Sequence, residues 1–297
     1  MKSSRAISIQ GGRVEFLKIN AARREWRDSY HWILSLNWPR FALAILSGYL
    51  TINLIFAAAY SVGGPCIGEM TPGSFPQAFF FSVETLATVG YGHMYPATVY
   101  GHLVVTAEIF VGMVWLAVIT GLIFVRFSRP TARILFSRNA LIGNFNGKSA
   151  LMFRVANMRH TSMVEAHFRM IFSRDEVMLE GDEVRRFYDL PVNPVHMISF
   201  PAALTIRHVI DESSPLHGLT TDDLKATDAF FLASTVSTET VMAASVQSQK
   251  GYSWDEVRFG ERFVDVYTVL PGGKMRVDYG RLHETEPVPE VPASKTI

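Results

Sequence analysis

The sequence predicts a chain in two parts: a membrane-embedded α-helical module with two transmembrane helices and a re-entrant half-helix, then a C-terminal β-sandwich. Three observations lead there. Two apolar spans, about Phe41–Val62 and about Val99–Val125, each have the roughly 20 residues that a bilayer-crossing helix needs. Between them lies a shorter apolar stretch that closes on Thr88-Val89-Gly90-Tyr91-Gly92. From about Asn139 the pattern changes to short runs that alternate apolar and polar residues.

Charge placement orients the chain. The 28 Lys and Arg nearly balance the 27 Asp and Glu, so there is no whole-chain basic signature of nucleic-acid binding. Arg5, Arg13, Lys18, Arg23, Arg24, Arg27 and Arg40 precede the first span, and Arg126, Arg129, Arg133 and Arg138 follow the second. Gly63–Thr98, between the spans, has no Lys or Arg. By the positive-inside rule this is a multi-pass protein of the cell membrane with both termini in the cytoplasm. Met1–Gln10 lacks an apolar core, so no cleavable signal peptide is expected. The single cysteine, Cys66, reads as a small buried residue, having no intrachain disulfide partner.

The elements follow in order. In the N-terminal arm, residues 1–39, Trp26, Tyr30, Ile33 and Leu34 form an apolar stripe at helical spacing that ends at Trp38-Pro39. Just inside a membrane span, such a segment suits an interfacial slide helix. The two-helix module is expected over 40–128. Its central stretch starts like a helix, with Ser74 as N-cap and Pro76 in the first turn, and is too short to cross a bilayer. A re-entrant half-helix fits, and the non-helical pentapeptide after it survives at membrane depth only inside protein or along a watery pore.

That pentapeptide points to chemistry. Potassium-channel selectivity filters use four copies of it, replacing the hydration shell of the ion with rings of backbone carbonyls. Thr88, Val89, Gly90 and Tyr91 would hold K+, while Gly90 and Gly92 supply backbone angles that other residues resist. One chain supplies a quarter of each ring, so a homotetramer is expected, with K+ as its cargo and no cofactor. Glu84 on the half-helix and Glu108 in the second span are ionisable groups at membrane depth, expected to support the filter, with simple extracellular exposure of one of them as the alternative. Leu116, Thr120 and Phe124 recur every fourth residue and are candidates for pore lining, with Phe124 as an apolar gate. From periodicity alone, Phe124 as a packing residue competes with that reading. Gly112 and Gly121 are candidate hinges, although glycine also serves close helix packing.

A linker over 129–138 leads to a domain over 139–285. Leu151, Phe153 and Val155, and then Ala166, Phe168, Met170 and Phe172, alternate with their neighbours as strands do. Further strands are expected at Val184–Leu190, Met197–Ile206, Ala229–Val236, Val257–Thr268 and Met275–Tyr279. Asn146-Gly147 and Pro271-Gly272-Gly273 mark tight turns, and Thr220 caps a short helix. Glu286–Ile297, with three prolines, reads as a disordered tail. There is no catalytic motif, so the chain is not expected to be an enzyme. The domain's histidines, His160, His167, His196, His208, His217 and His283, lack metal-ligand spacing and read as surface or packing residues.

Phe79–Gly92, then Arg126-Phe127-Ser128-Arg129-Pro130, then Ile210-Asp211-Glu212-Ser213-Ser214-Pro215-Leu216 resemble inward-rectifier potassium channels, most of all their prokaryotic branch. The resemblance implies a membrane α-helical pore module with a re-entrant pore helix, joined to a C-terminal cytoplasmic immunoglobulin-like β-sandwich. It implies that Leu116, Thr120 and Phe124 line the pore, with Phe124 at the constriction. It also places Glu165 and the region around Glu239 toward a cytoplasmic pore, where acids gather cations. Arg126, Arg129 and Arg133 follow the second span, where anionic lipids such as phosphoinositides would bind and modulate gating.

Two departures from the family pattern stand out. Strong rectifiers carry an acid where this chain has Leu116, so block by internal Mg2+ or polyamines is expected to be weak. Eukaryotic members pair the half-helix glutamate with an arginine beyond the filter, whereas His93 and Met94 stand here, leaving Glu108 as a candidate partner for Glu84. The alternative reading is a potassium transporter subunit with a filter-like loop, but such a transporter would need several pore modules where one is found.

Overall fold

The computed structural model describes residues 8–10, 13–15, 29–128 and 130–288, and the chain divides into two compact units. One comprises residues 19–129, the other residues 130–297 together with 1–18.

A small hairpin, β1 (Ser8–Gln10) and β2 (Arg13–Glu15), belongs to the second unit. The helical unit runs α1 (Ser29–Ser35), α2 (Trp38–Val62), β3 (Ile67–Gly68), α3 (Phe75–Leu86), β4 (Tyr95–Pro96) and α4 (Val99–Phe127). At 1.5 Å per residue, α2 and α4 are about 37 and 43 Å long, enough to cross a bilayer core, while α3 is about 18 Å. Both long helices leave large apolar side chains uncovered, among them Leu43, Leu50 and Leu54 on α2 and Leu103, Phe110 and Met113 on α4. Surfaces of that size belong in lipid or against other chains. β3 and β4 pair antiparallel and tie the loops flanking α3 together.

The start of α2 corrects one expectation. Trp38-Pro39 opens the first span and does not close the slide helix. Asn37 caps it by accepting the Arg40 amide at 3.1 Å, and Pro39 occupies the first turn, where no amide is needed. α1 is the described helical part of the segment expected to form a slide helix; Trp26 lies outside the described residues. Ser74 stands at the N-cap of α3, but its side chain makes no capping bond. Cys66 is buried, as its small apolar character suggests, with Sγ 3.4 Å from the Tyr60 carbonyl.

The second unit is a sandwich of two five-stranded sheets. Its strands are β5 (Ile134–Phe136), β6 (Ala140–Phe145), β7 (Lys148–Asn157), β8 (Met163–Val177), β9 (Glu183–Leu190), β10 (His196–Phe200), β11 (Ala203–Val209), β12 (Phe230–Glu239), β13 (Ala244–Ser253) and β14 (Val257–Phe259). One sheet runs β10-β8-β12-β13, with β9 on the far half of β8. The other runs β11-β7-β6-β14, with β5 on β7. Short pairs complete it, β15 (Glu261–Phe263) with β18 (Thr285–Pro287) and β16 (Tyr267–Val269) with β17 (Met275–Val277). Helix α5 (Thr221–Ala226) begins in a capping box between Thr220 and Asp223. Phe153, Phe168, Phe172, Phe200, Phe231 and Tyr252 are fully buried at its centre.

Four sequence expectations shift. The stretch 129–138 is not all linker, because β5 pairs with β7 there. Met197–Ile206 breaks into β10 and β11 around Pro201, which has no amide to give a ladder. Val257–Thr268 divides into three short strands. Glu286 and Pro287 belong to β18; residues 289–297 lie outside the described residues. The turns stand as expected: Asn146 and Gly147 both have positive φ, 52° and 79°, in a two-residue hairpin between β6 and β7.

On the β8–β9 pair, Glu176 receives the Tyr188 hydroxyl, Arg174 Nε at 2.7 Å and Arg186 Nη1 at 3.1 Å. The Tyr188 hydrogen bond and the two guanidinium groups pull its carboxyl down to about 2. A depressed carboxyl contributes stability above its unfolded pKa and loses it as pH falls toward the folded value. Acid titration of the detergent-solubilised protein should therefore show stability falling between about pH 4.5 and 2. Glu176→Gln should cost about 1–2 kcal/mol at neutral pH and flatten that decline. Identical acid profiles for both proteins would contradict the assignment.

Candidate functional site: the filter loop and its buried support

α3 buries Ala78, Phe81, Ser82 and Leu86, and its last turn passes directly into the filter loop. The Ala87 amide donates to Val83 O at 3.1 Å, Thr88 to Thr85 O at 3.0 Å, and Val89 to Glu84 O at 2.8 Å. Through the loop φ alternates in sign. Thr88 (56°), Gly90 (57°) and Gly92 (82°) are positive, and Val89 and Tyr91 are not. Alternating handedness turns successive peptide planes the same way, so their carbonyls share one side and can form a ladder of oxygens. A Cβ on Gly90 or Gly92 would meet nothing within 4 Å, so the demand for glycine is conformational and not a matter of space. Thr88 accepts the same conformation with a β-branched side chain, a strain of about 1–3 kcal/mol that the surroundings must hold.

The helix that leads into the loop is anchored by a buried polar junction. Glu108 of α4 is fully buried and receives the Tyr60 hydroxyl from α2 and the Ser82 hydroxyl from α3. Ser82 also lies 3.0 Å from the Asn53 amide oxygen, and Asn53 donates to Tyr49 O at 2.8 Å. Tyr60 packs edge-on to Phe81, ring centroids 5.2 Å apart. Glu108 thus bonds to α3, the helix that runs into the loop. Glu84 differs from the expected pairing: its half-buried carboxylate makes no hydrogen bond among the described residues, and Glu108 is occupied elsewhere. Glu84 reaches the filter through its backbone carbonyl. Tyr60, Ser82 and Asn53 went unnoticed in the sequence, since each is unremarkable in an apolar run and their partners lie 26 to 48 residues away.

Leu116, Thr120 and Phe124 all lie exposed along α4, with Thr120 donating to Leu116 O at 2.8 Å. Glu108 and Gly112 lie on the buried side. A Cβ at Gly112 would come within 2.8 Å of Leu86 O, so close packing against the end of α3 accounts for this glycine. Gly121 has open surroundings and no such role.

The basic cluster separates. Arg126 donates to Leu36 O at 2.6 Å, and its guanidinium carbon stands 4.5 Å from the centroids of both Trp38 and Phe41. It pins the α1–α2 corner to the end of α4. Arg129 lies outside the described residues, and Arg133 is exposed in the second unit. On the sandwich, Glu165 is exposed and hydrogen-bonds His196 at 2.7 Å. Glu239 departs from its expected open position: it is buried and accepts the Val241 and Met242 amides at 3.1 and 2.9 Å. These bonds hold its carboxyl below the usual range.

Comparison with known proteins bears on the same segments. Residues 134–296 match the family model of the inward rectifier potassium channel C-terminal domain, and residues 45–129 match that of ion channels. The chain is 39% identical to the inward rectifier potassium channel Kirbac3.1 of Paramagnetospirillum magnetotacticum, over 92% of this chain and 93% of that one. It is 29% identical to the human ATP-sensitive inward rectifier potassium channel 12, over 94% of this chain and 70% of the relative. To human inward rectifier potassium channel 18 it is 30% identical, over 91% and 67%. A solved alkylpurine DNA glycosylase from Pseudomonas fluorescens aligns at a TM-score of only 0.19 and 9% identity, over 62% of this chain and 52% of that one, and carries no argument. The filter loop, the two long apolar helices and these matches together place the chain in the inward rectifier potassium channel family, a family of membrane ion channels and not of enzymes.

Proposed function

We propose that four copies of this chain form a passive, potassium-selective pore, with Thr88–Gly92 facing outward and both termini in the cytoplasm. The observation that carries the reading is the alternating φ of Thr88 to Gly92, which aims the carbonyls of one chain to one side. A potassium ion needs such oxygens all around it, so the loop is complete only when copies surround an axis. Val89 and Tyr91, 49% and 77% exposed in the single chain, are then covered by neighbours. Phe124, 70% exposed, is the apolar ring that closes the inner end. With Leu116 apolar, block by internal Mg2+ or polyamines is weak. Glu165 is the open acid of the cytoplasmic surface, and Glu239 serves its own turn.

Rubidium uptake into liposomes tests the filter. Gly90→Ala should abolish uptake, because a Cβ penalises the required positive φ, while the protein stays folded, since nothing crowds that position. Uptake at the wild-type rate would sink the reading of the loop.

Phe124→Ser should raise open probability in single-channel records by wetting the constriction. Unchanged gating would return Phe124 to a packing role.

Anionic lipid is proposed to act through the basic residues after α4. Because Arg126 is already held by Leu36 and two rings, Arg129 and Arg133 are the pair to test. Arg129→Gln and Arg133→Gln should each shift the phosphoinositide dependence of flux about fivefold, or about 1 kcal/mol per charge. Wild-type responses in both would remove this cluster from lipid recognition.

A further inference from the structure

Two histidines that stand 29 residues apart in sequence meet on the surface of the sandwich. His167 on β8 and His196 on β10 are direct cross-strand partners, with ring centroids 4.5 Å apart. Glu165 joins them. Met163 and Ala166 are both buried and Glu165 has a positive φ of 51°, so β8 carries one extra residue here relative to β12, while its pairing with β10 keeps one register. The pairing with β12 slips at the same place, between Val236 and Thr238. Glu165 stands two residues before His167, and alternate residues of a strand share a face, so its carboxylate lies on the histidine face and meets His196 Nε2 at 2.7 Å. One ligand atom from each residue lies within 4.8 Å of the other two. All three are exposed, so a hydrated ion can reach them.

We propose that Glu165, His167 and His196 form a binding site for a divalent transition-metal ion of the Zn2+ type. Two imidazoles and one carboxylate are a ligand set that such ions favour, whereas Mg2+ and Ca2+ prefer oxygen alone. Three protein ligands leave further positions to water. The ion takes the place of the His196–Glu165 hydrogen bond, and that distance opens modestly to fit ligands at about 2.0–2.2 Å from the metal. The pairing of β8 with β10 is what makes the site, since it sets His196 directly opposite His167. Binding itself does not depend on the proposed role of Glu165 in conduction, so the test reads binding.

Equilibrium dialysis of tag-free, full-length protein in detergent against micromolar ZnCl2, with excess Mg2+ present, measures it. One Zn2+ per chain is expected. His167→Ala and His196→Ala, both at exposed positions, should each weaken binding by roughly tenfold or more. Co2+ in place of Zn2+ should give a visible absorption band that is lost in the same variants. Absence of stoichiometric binding by the wild type, or binding by both variants as tight as wild type, would overturn the proposal.

Discussion

The helical unit depends on the carboxyl group of Glu108. Placed alone among apolar helices it would be costly, because neither lipid nor packed side chains replace its lost water. It is tolerable only where hydroxyl groups are brought to it, and those come from two other helices, Tyr60 on α2 and Ser82 on α3. Three helices must therefore meet in one register. Apolar packing alone tolerates sliding; a satisfied polar junction does not. Gly112 adds a second constraint from the same face of α4, letting it approach within contact of the Leu86 carbonyl at the end of α3.

The filter loop depends on that register in turn. Its first amides are tied to carbonyls of the last turn of α3, so a shift of that helix moves Thr88 and Val89 with it. The loop also holds a β-branched residue at positive φ, a conformation that its own sequence does not favour. Strain of this kind persists only where the surroundings fix it. The chain then leaves apolar and filter surfaces uncovered, which is the opposite of how an isolated soluble domain ends its surface.

Much of this was legible beforehand because it rests on local signals. Span lengths, the half-helix with its proline, the Asn146-Gly147 turn and the Thr220 cap are written in a few adjacent residues each. What escaped were features whose partners are far apart in sequence. Nothing near Ser82 marks it as a bridge to Glu108, and Glu84 drew attention as an acid although its carbonyl makes the connection. His167 and His196 lack ligand spacing along the chain and become neighbours only through the pairing of β8 with β10. Glu239 looked like an open acid because the turn that consumes its carboxylate depends on the local backbone path. Strand β13 was missed for another reason: Ala244–Ser253 is rich in Ser and Gln and shows little apolar alternation, yet it pairs along the full length of β12. β7 departs in the other direction, burying both faces and Arg154 with them, so that burial pushes that guanidinium down to about 10.

The most direct test of the central claim is the ratio of potassium to sodium flux through purified protein in liposomes, compared between wild type and Glu108→Ala. The account requires strong potassium preference in the wild type and a clear loss of that preference in the variant, with the protein still assembled. A wild type that passes both ions equally, or a variant whose ratio is unchanged, would contradict the claim that the Glu108 junction sets the geometry of the filter.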